Sequence, residues 1–387
     1  MLIEDNIIMN KINTNKASVE VFELMAGAGV AEYHLMVHVC DPTLTYQQQV
    51  NALLDAYDAA MRQIPGAVAV FKRYFLSDAA NQADLLLAMA TEGTECALSL
   101  VQQPPLDGTK IALWAYLLQG DVQTKALPSG LFEVAHGGYR HLWTGGNTNQ
   151  AANSEYQTRL LLNDYVMNLA QEGCTLSEHC VRTWFFVQDI DNKYAGMVKA
   201  RNDVFVTQGL TDKTHFIAST GIGGRMANPA SFVQMDAYAV KGLQPGQMHY
   251  LYATDYLNRT SEYGVSFERG TMVDYGDRRQ VFISGTASIN NKGEIMYHRD
   301  IRNQTHRMWE NVEALLHEAD CSFNEVGQMI VYLRDIADYY VVKSLFDERF
   351  PDKPKVFVNA PVCRPGWLIE MECMAVKTQT NTALPVF

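Results

Sequence analysis

The sequence predicts an α+β fold built from three tandem units, each a mixed sheet with its helices outside, arranged about a pseudo-threefold axis. Three observations carry this expectation. Aromatic and β-branched runs ending in Asp recur at Phe71–Asp78, Arg182–Asp189 and Gln328–Asp335, each reading as a strand stopped by a turn or helix cap. A helical pattern with apolar residues three and four apart precedes each run, near Tyr46–Met61, Tyr156–Gln171 and Gln304–Ala319. Units of about 125 residues fill the 387-residue chain three times with little left for linkers.

Taken in order, the first unit opens on an expected hairpin, Val19–Leu24 and Tyr33–Val39 about Gly27-Ala28-Gly29, and closes on Lys110–Leu118. The second opens on Leu131–Val134 and Arg140–Trp143 across Gly137-Gly138, a dipeptide suited to a tight turn. Its last strand, Phe232–Val240, matches Leu368–Val376 of the third unit, placing Gln234 opposite Glu370 and Asp236 opposite Glu372. The third hairpin is expected at Val265–Phe267 and Gln280–Gly285. The common order is hairpin, helix, strand, helix, strand, which implies mixed sheets. Boundaries near Gln123 and Asn258 divide the chain into units 1–123, 124–258 and 259–387, and Gly242–Gly246 is the clearest turn cluster between the last two.

Composition excludes several classes of function. A hydrophobic fraction of 48% belongs to a well-cored globular protein. The net charge of −12, with no Lys/Arg run, argues against nucleic acid as a partner. No apolar stretch is long enough to span a membrane, and Met1–Asn6 lacks the basic start of a signal peptide, so a cytoplasmic protein is expected. Seven cysteines without a Cys-x-x-Cys pair suit reduced thiols. Ten histidines show no ligand spacing, and the expectation is no metal and no cofactor.

Candidate chemistry concentrates near the C-terminus. Glu370 and Glu372 lie two apart in a strand and share one face. Either that face is solvated, or Arg364 and Glu370 form an anion-binding and proton-donating pair beside Cys363, with burial among Trp367, Met371 and Met374 raising the acid's pKa. The internal counterpart of Glu370 is Gln234, of similar shape but unable to ionise, so the acid is not demanded by the shared fold. Arg225, after Gly221-Ile222-Gly223-Gly224, holds a place similar to Arg364 in the second unit. That glycine run lacks the Gly-Lys-Ser/Thr of a phosphate loop and is read instead as letting the backbone approach a ligand carboxylate. Arg201 stands where the third unit has Leu345, which means either a site or an ion pair between units. Cys363 has no histidine nearby in sequence to activate it, and small-residue packing is the commoner use.

The third unit resembles RidA/YjgF domains. The carrying residues are Ser284-Gly285, Asp300 and Gln304, Asn311, Tyr332–Asp335, Phe346 and Phe350 before a proline, Arg364, and the Ile369–Glu372 strand. Across the longer chain the resemblance is to chorismatases, through Phe282–Ser288, Ala218–Gly224, Ser266-Phe267-Glu268-Arg269, and Cys363 seven residues ahead of Glu370. The loop Ile289–Tyr297 departs from that pattern. The resemblance implies tandem RidA-like units and a small carboxylated metabolite as partner, and leaves room for a homo-oligomer. It implies a catalytic Glu370, with Arg364, Cys363, Arg225, Arg201, Gly285 and Arg269 contacting the substrate. The expected activity is cleavage of an enolpyruvyl ether, chorismate or a relative, with release of pyruvate. The alternatives are imine or enamine deamination of the RidA type and a non-catalytic metabolite-binding pseudo-trimer, while RNA cleavage is opposed by the charge.

Overall fold

A computed structural model of the chain describes residues 7–25, 29–90 and 96–387. It contains three six-stranded sheets of identical topology. The first comprises β1 (Ile7–Asn13), β2 (Ala17–Leu24), β3 (Ala31–Val39), β4 (Ala67–Leu76), β5 (Ala97–Gln102) and β6 (Ile111–Gln119), with helices α1 (Tyr46–Met61) and α2 (Ala79–Ala90). The second comprises β7 (Gln123–Ala126), β8 (Phe132–His136), β9 (Tyr139–Thr148), β10 (Cys180–Val187), β11 (Ala218–Gly223) and β12 (Val233–Lys241), with α3 (Ser154–Gln171), the short α4 (Leu176–His179) and α5 (Ile190–Thr207). The third comprises β13 (Met248–Leu251), β14 (Gly270–Asp274), β15 (Arg278–Ala287), β16 (Val326–Leu333), β17 (Lys355–Asn359) and β18 (Ile369–Thr378), with α6 (Ile301–Glu318) and α7 (Tyr339–Arg349).

In each sheet the order is first, second, third, sixth, fourth, fifth strand. The fourth and fifth run parallel, joined by the second long helix, and the other pairs are antiparallel. The expected helices and central strands are present. The first two units also hold two strands that the sequence conceals, and the third holds three. The opening edge strands are short or solvated, as in Gln123–Ala126, which is exposed throughout. The parallel strand after the second helix is brief, and in the second unit it is the glycine run itself, Ala218–Gly223.

Two expectations need correction. Val265–Phe267 is not a strand; β15 takes β14 as its hairpin partner, because Phe267 and its neighbours are drawn into a cleft described below. The chain leaves the second sheet at Lys241 and enters the third at Met248, so Asn258 lies inside the third unit and the Gly242–Gly246 turn is the crossing point. Of the expected glycine turns, Gly137 and Gly138 adopt φ of 59° and 89°, values that only glycine takes at little cost, whereas Gly27 and Ala28 lie outside the described residues, as does Met1–Asn6.

Strands β10 and β16 are buried along their whole length, so both faces of each sheet are covered. Helices cover one face. The other meets the sister sheets around a shared centre, where Phe71 lies 5.4 Å from both Trp114 and Trp143 and 6.2 Å from Trp184, and Trp143 stacks on Tyr238 at 4.1 Å. Polar groups are buried in the same interior as a balanced set. Arg73 donates to Asp236 at 2.9 Å and lies 3.7 Å from Glu372, which accepts from Arg182 at 3.0 Å, from Thr220 Oγ1 at 2.5 Å and from Trp184 Nε1 at 2.8 Å. These bonds join all three units. Arg73→Met leaves the Asp236 carboxylate buried without its cation and is expected to cost about 3–5 kcal/mol in denaturant unfolding. Arg140→Ala, which breaks a partly exposed pair with Glu133 and Glu172, is expected to cost about 1 kcal/mol or less.

Candidate active site

The cleft between the second and third units gathers six of the seven residues expected at the site. Glu370, Arg364, Cys363, Arg201, Gly285 and Arg269 line one cavity, together with Tyr194, Tyr263, Phe267 and Trp367. Arg225 is elsewhere. It follows the end of β11, its main chain pairs with Gln102 of the first unit, and its side chain is exposed, so the analogy with Arg364 fails on direction.

Glu370 forms the floor. It sits in β18 opposite Ala287 on one side and Tyr332 on the other, and it is 4% exposed. The solvated reading of the Glu370/Glu372 face is therefore wrong for both acids. Their roles divide by environment. Glu372 is saturated by Arg182, Thr220 and Trp184. Glu370 has no such partners among the described residues. Burial pushes its pKa up to about 8, reinforced by the charge of Glu372 and only partly offset by Arg269 and Arg182. A carboxyl group in this condition is protonated at neutral pH and can donate.

Room for that carboxyl comes from a bulge. The register of β15 against β18 shifts between Ile283 and Thr286, and Gly285 lies in the shift. Its N–H donates to Thr220 Oγ1 across the unit boundary at 2.9 Å. A Cβ at Gly285 would stand 2.1 Å from Glu370 Oε1. Gly285→Ala is therefore expected to displace the acid and to cost about 1–3 kcal/mol by overpacking. Urea denaturation checks this, and a midpoint equal to that of the unmodified protein would contradict it.

The cations come from both units. Arg201 and Tyr194 lie seven residues apart on α5 and so share a helix face. Arg201 is 1% exposed, its Nε and Nη2 have no partner, and the rings of Phe185 and Phe267 flank it at 6.0 and 5.8 Å. Among the described residues it forms no ion pair between units. A buried guanidinium with unmade hydrogen bonds is costly in isolation and ready for an anion. Arg269 is held by Asn258, donating to its carbonyl and to its Oδ1 at 3.0 Å. The indole N–H of Trp367, also buried, has no acceptor. Arg364 borders both this cavity and a wider outer hollow lined by α5 and Gly264, which places it at the mouth.

Cys363 also lines the cavity, but burial raises its thiol pKa to about 12, with the charge of Glu370 adding to the effect, so it is no thiolate nucleophile. Of the glycine run after Thr220, Gly221 lines the cavity, whereas the later glycines serve packing: a Cβ at Gly223 would meet Pro361 at 2.8 Å, and one at Gly224 would meet Val101 at 2.9 Å. Among the described residues no group of three or more metal-ligating side chains occurs, and no helix is long and apolar enough to cross a membrane. Tyr194 and Tyr263 were not foreseen as lining residues, whereas Trp367 was expected beside Glu370. The seven-residue spacing of Tyr194 and Arg201 is the signal that could have found the first.

The sister clefts differ at the same strand position. By register, the place of Glu370 opposite Ala287 is held by Gln234 opposite Thr148 and by Ala112 opposite His38. Gln234 donates to Ser99 of the first unit at 3.0 Å. Between the third and first units, Glu20 accepts from the Lys355 main chain at 3.0 Å and lies 3.5 Å from His38. Of these three positions, Glu370 alone can ionise.

The model of the family described as endoribonuclease L-PSP matches residues 272–377. A RutC family protein of Pyrococcus abyssi is 34% identical over 99 residues, which are 25% of this chain and 78% of that protein. The 3-aminoacrylate deaminase RutC of Acinetobacter baylyi is 27% identical over 97 residues, 24% of this chain and 77% of its own. The chain belongs to the RidA/YjgF superfamily, to which the RutC and endoribonuclease L-PSP proteins belong, by virtue of its third unit. Beyond that unit, the crystal structure of a chorismatase matches at a TM-score of 0.61 and 16% identity, covering 80% of this chain and 93% of its own. The fold shared with that protein therefore extends well past the third unit.

Proposed function

We propose that the cleft between the second and third units is the active site of a chorismatase-like enzyme that cleaves an enolpyruvyl ether and releases pyruvate. The observation that carries this reading is the lining of one cavity by Glu370, a buried carboxyl whose pKa burial raises, together with Arg201, whose Nε and Nη2 have no partner among the described residues. In this mechanism Glu370 donates its proton to the terminal vinyl carbon, and the ether oxygen's lone pair stabilises the resulting oxocarbenium ion. Water adds to the cationic carbon, and the hemiketal collapses to pyruvate and an alcohol, returning a proton to Glu370. Arg201, Arg269 and Arg364 supply the positive charge that a carboxylated substrate needs. The aromatic side chains of Tyr194, Tyr263, Phe267 and Trp367 provide flat walls for an unsaturated ring.

A second reading is favoured by the likeness to 3-aminoacrylate deaminase. An enamine also accepts a proton at carbon, after which water attacks the iminium and ammonia leaves. The same acid and cations serve both reactions, and the leaving group separates them. The test supplies chorismate in one assay, following pyruvate, and 2-aminoacrylate generated by a dehydratase in another, following ammonia above the spontaneous rate. Pyruvate from chorismate supports the first reading, ammonia release alone supports the second, and ligand-induced stabilisation without turnover in either assay points to a metabolite-binding protein.

A further inference from the structure

The cleft between the first and second units holds a different kind of chemistry. Its counterpart of the candidate active site is sealed, with Gln234 bonded to Ser99 and the Gly145-Gly146 bulge pressed so closely on the first unit that a Cβ on either glycine would lie 2.8 and 2.9 Å from the Leu98 carbonyl. Beside this seal lies an open hollow walled by Leu98, Leu127, Leu131 and Phe132, and Lys72 and Cys96 line it as well.

Lys72 is an unusual lining residue. It is 4% exposed in the middle of β4, and among the described residues no carboxylate lies within ion-pairing distance of it. Its Nζ lies 4.2 Å from the centre of the Tyr57 ring. Two buried hydroxyls of that neighbourhood, Tyr57 and Tyr74, have no hydrogen-bond partner among the described residues. Asp58 and the Cys96 thiol are the titratable groups whose charge favours the ammonium form, yet burial outweighs them and lowers the Lys72 pKa. A lysine buried without a paired acid is costly to keep charged. Burial shifts the balance toward the neutral amine, which is the form that is a nucleophile toward carbonyl carbon.

We infer that Lys72 is a second reactive site, taking up small apolar aldehydes from the hollow between the first two units as an imine. The Nζ lone pair attacks the carbonyl carbon to give a carbinolamine. Loss of water then leaves a C=N bond to Lys72, with no oxidant or reductant required. The hollow offers no second cation for a carboxylate, which selects aldehydes over 2-oxo acids.

The test treats the full chain with limiting hexanal and cyanoborohydride near pH 7, then maps the reduced adduct by peptide mass spectrometry. Lys199, with its side chain 63% exposed, is the internal reference. Labelling of Lys72 at least tenfold faster than Lys199 is expected, with the fast phase lost in Lys72→Met, whose apolar side chain suits the same buried place. Lys72 labelled no faster than Lys199, or a fast phase that persists in Lys72→Met, would overturn the inference, because a lysine serving only as a buried packing partner of Tyr57 stays unreactive.

Discussion

Glu370→Gln is expected to lower turnover by at least about a hundredfold, the usual contribution of a general acid, while the protein still folds. The amide fills the same volume, and Gln234 shows that an equivalent strand position accepts it. The effect on stability depends on pH, and its sign follows from the direction of the shift. Folding raises the Glu370 pKa from an ordinary 4.5 to about 8. The folded state therefore holds the proton more tightly than the unfolded chain. Stability is at its fullest below about pH 4.5 and declines as pH rises toward 8. Each unit of that interval is worth about 1.4 kcal/mol. Glu370→Gln removes the titration, so the variant should match the unmodified protein near pH 5 and exceed it by a few kcal/mol near pH 8. Urea denaturation at the two pH values reads this directly. A variant destabilised at both would make Glu370 a structural partner, and a variant with undiminished turnover would place the acid elsewhere.

Arg201→Met is expected to separate binding from folding in the same way. The guanidinium is buried with Nε and Nη2 unpartnered and no carboxylate paired to it among the described residues, its nearest support being the Tyr194 hydroxyl, so its removal relieves a desolvation cost rather than breaking an ion pair. The melting temperature should hold or rise. Ligand binding should suffer, since a charge-assisted hydrogen bond to a carboxylate contributes about 1.5–3 kcal/mol, equivalent to roughly 10- to 150-fold in affinity. The loss should fall on KM more than on kcat, because a substrate carboxylate carries its charge in the ground state and in the transition state alike. A large fall in melting temperature would show that Arg201 is a packing anchor, and an unchanged KM would remove it from the site.

Much of this architecture is legible in the sequence because the central strands of each unit are buried on both faces and so carry unbroken apolar patterns. The alignment of Gln234 with Glu370 survives in the structure for that reason, since both occupy the sixth strand between the third and the fourth. The strands that stayed hidden lie at the sheet margins, where solvent or a neighbouring unit replaces the second apolar face: Gln123–Ala126 is polar, and Ala218–Gly223 reads as a loop because of its glycines. At the site, Glu370 could be found because it breaks the internal repeat. Arg225 misled because a repeat reveals a residue's place along the chain but not the direction of its side chain once a strand has ended. Tyr194 and Tyr263 carry no such contrast. They reach the cavity only because two units, distant in sequence, close around the pseudo-threefold axis.

Turnover of chorismate in ¹⁸O-labelled water tests the central claim most directly, with pyruvate and the ring product followed together by mass spectrometry. After protonation of the vinyl carbon by Glu370, water adds to the pyruvyl carbon and the hemiketal collapses by breaking the bond between that carbon and the ether oxygen. The ring alcohol should therefore keep its original oxygen while pyruvate accumulates, and both products should all but vanish with Glu370→Gln. Label in the ring hydroxyl would mean that water attacks the ring instead. That outcome, or no pyruvate above buffer at high protein concentration, would contradict the assignment of Glu370 as the acid of an enolpyruvyl ether hydrolase.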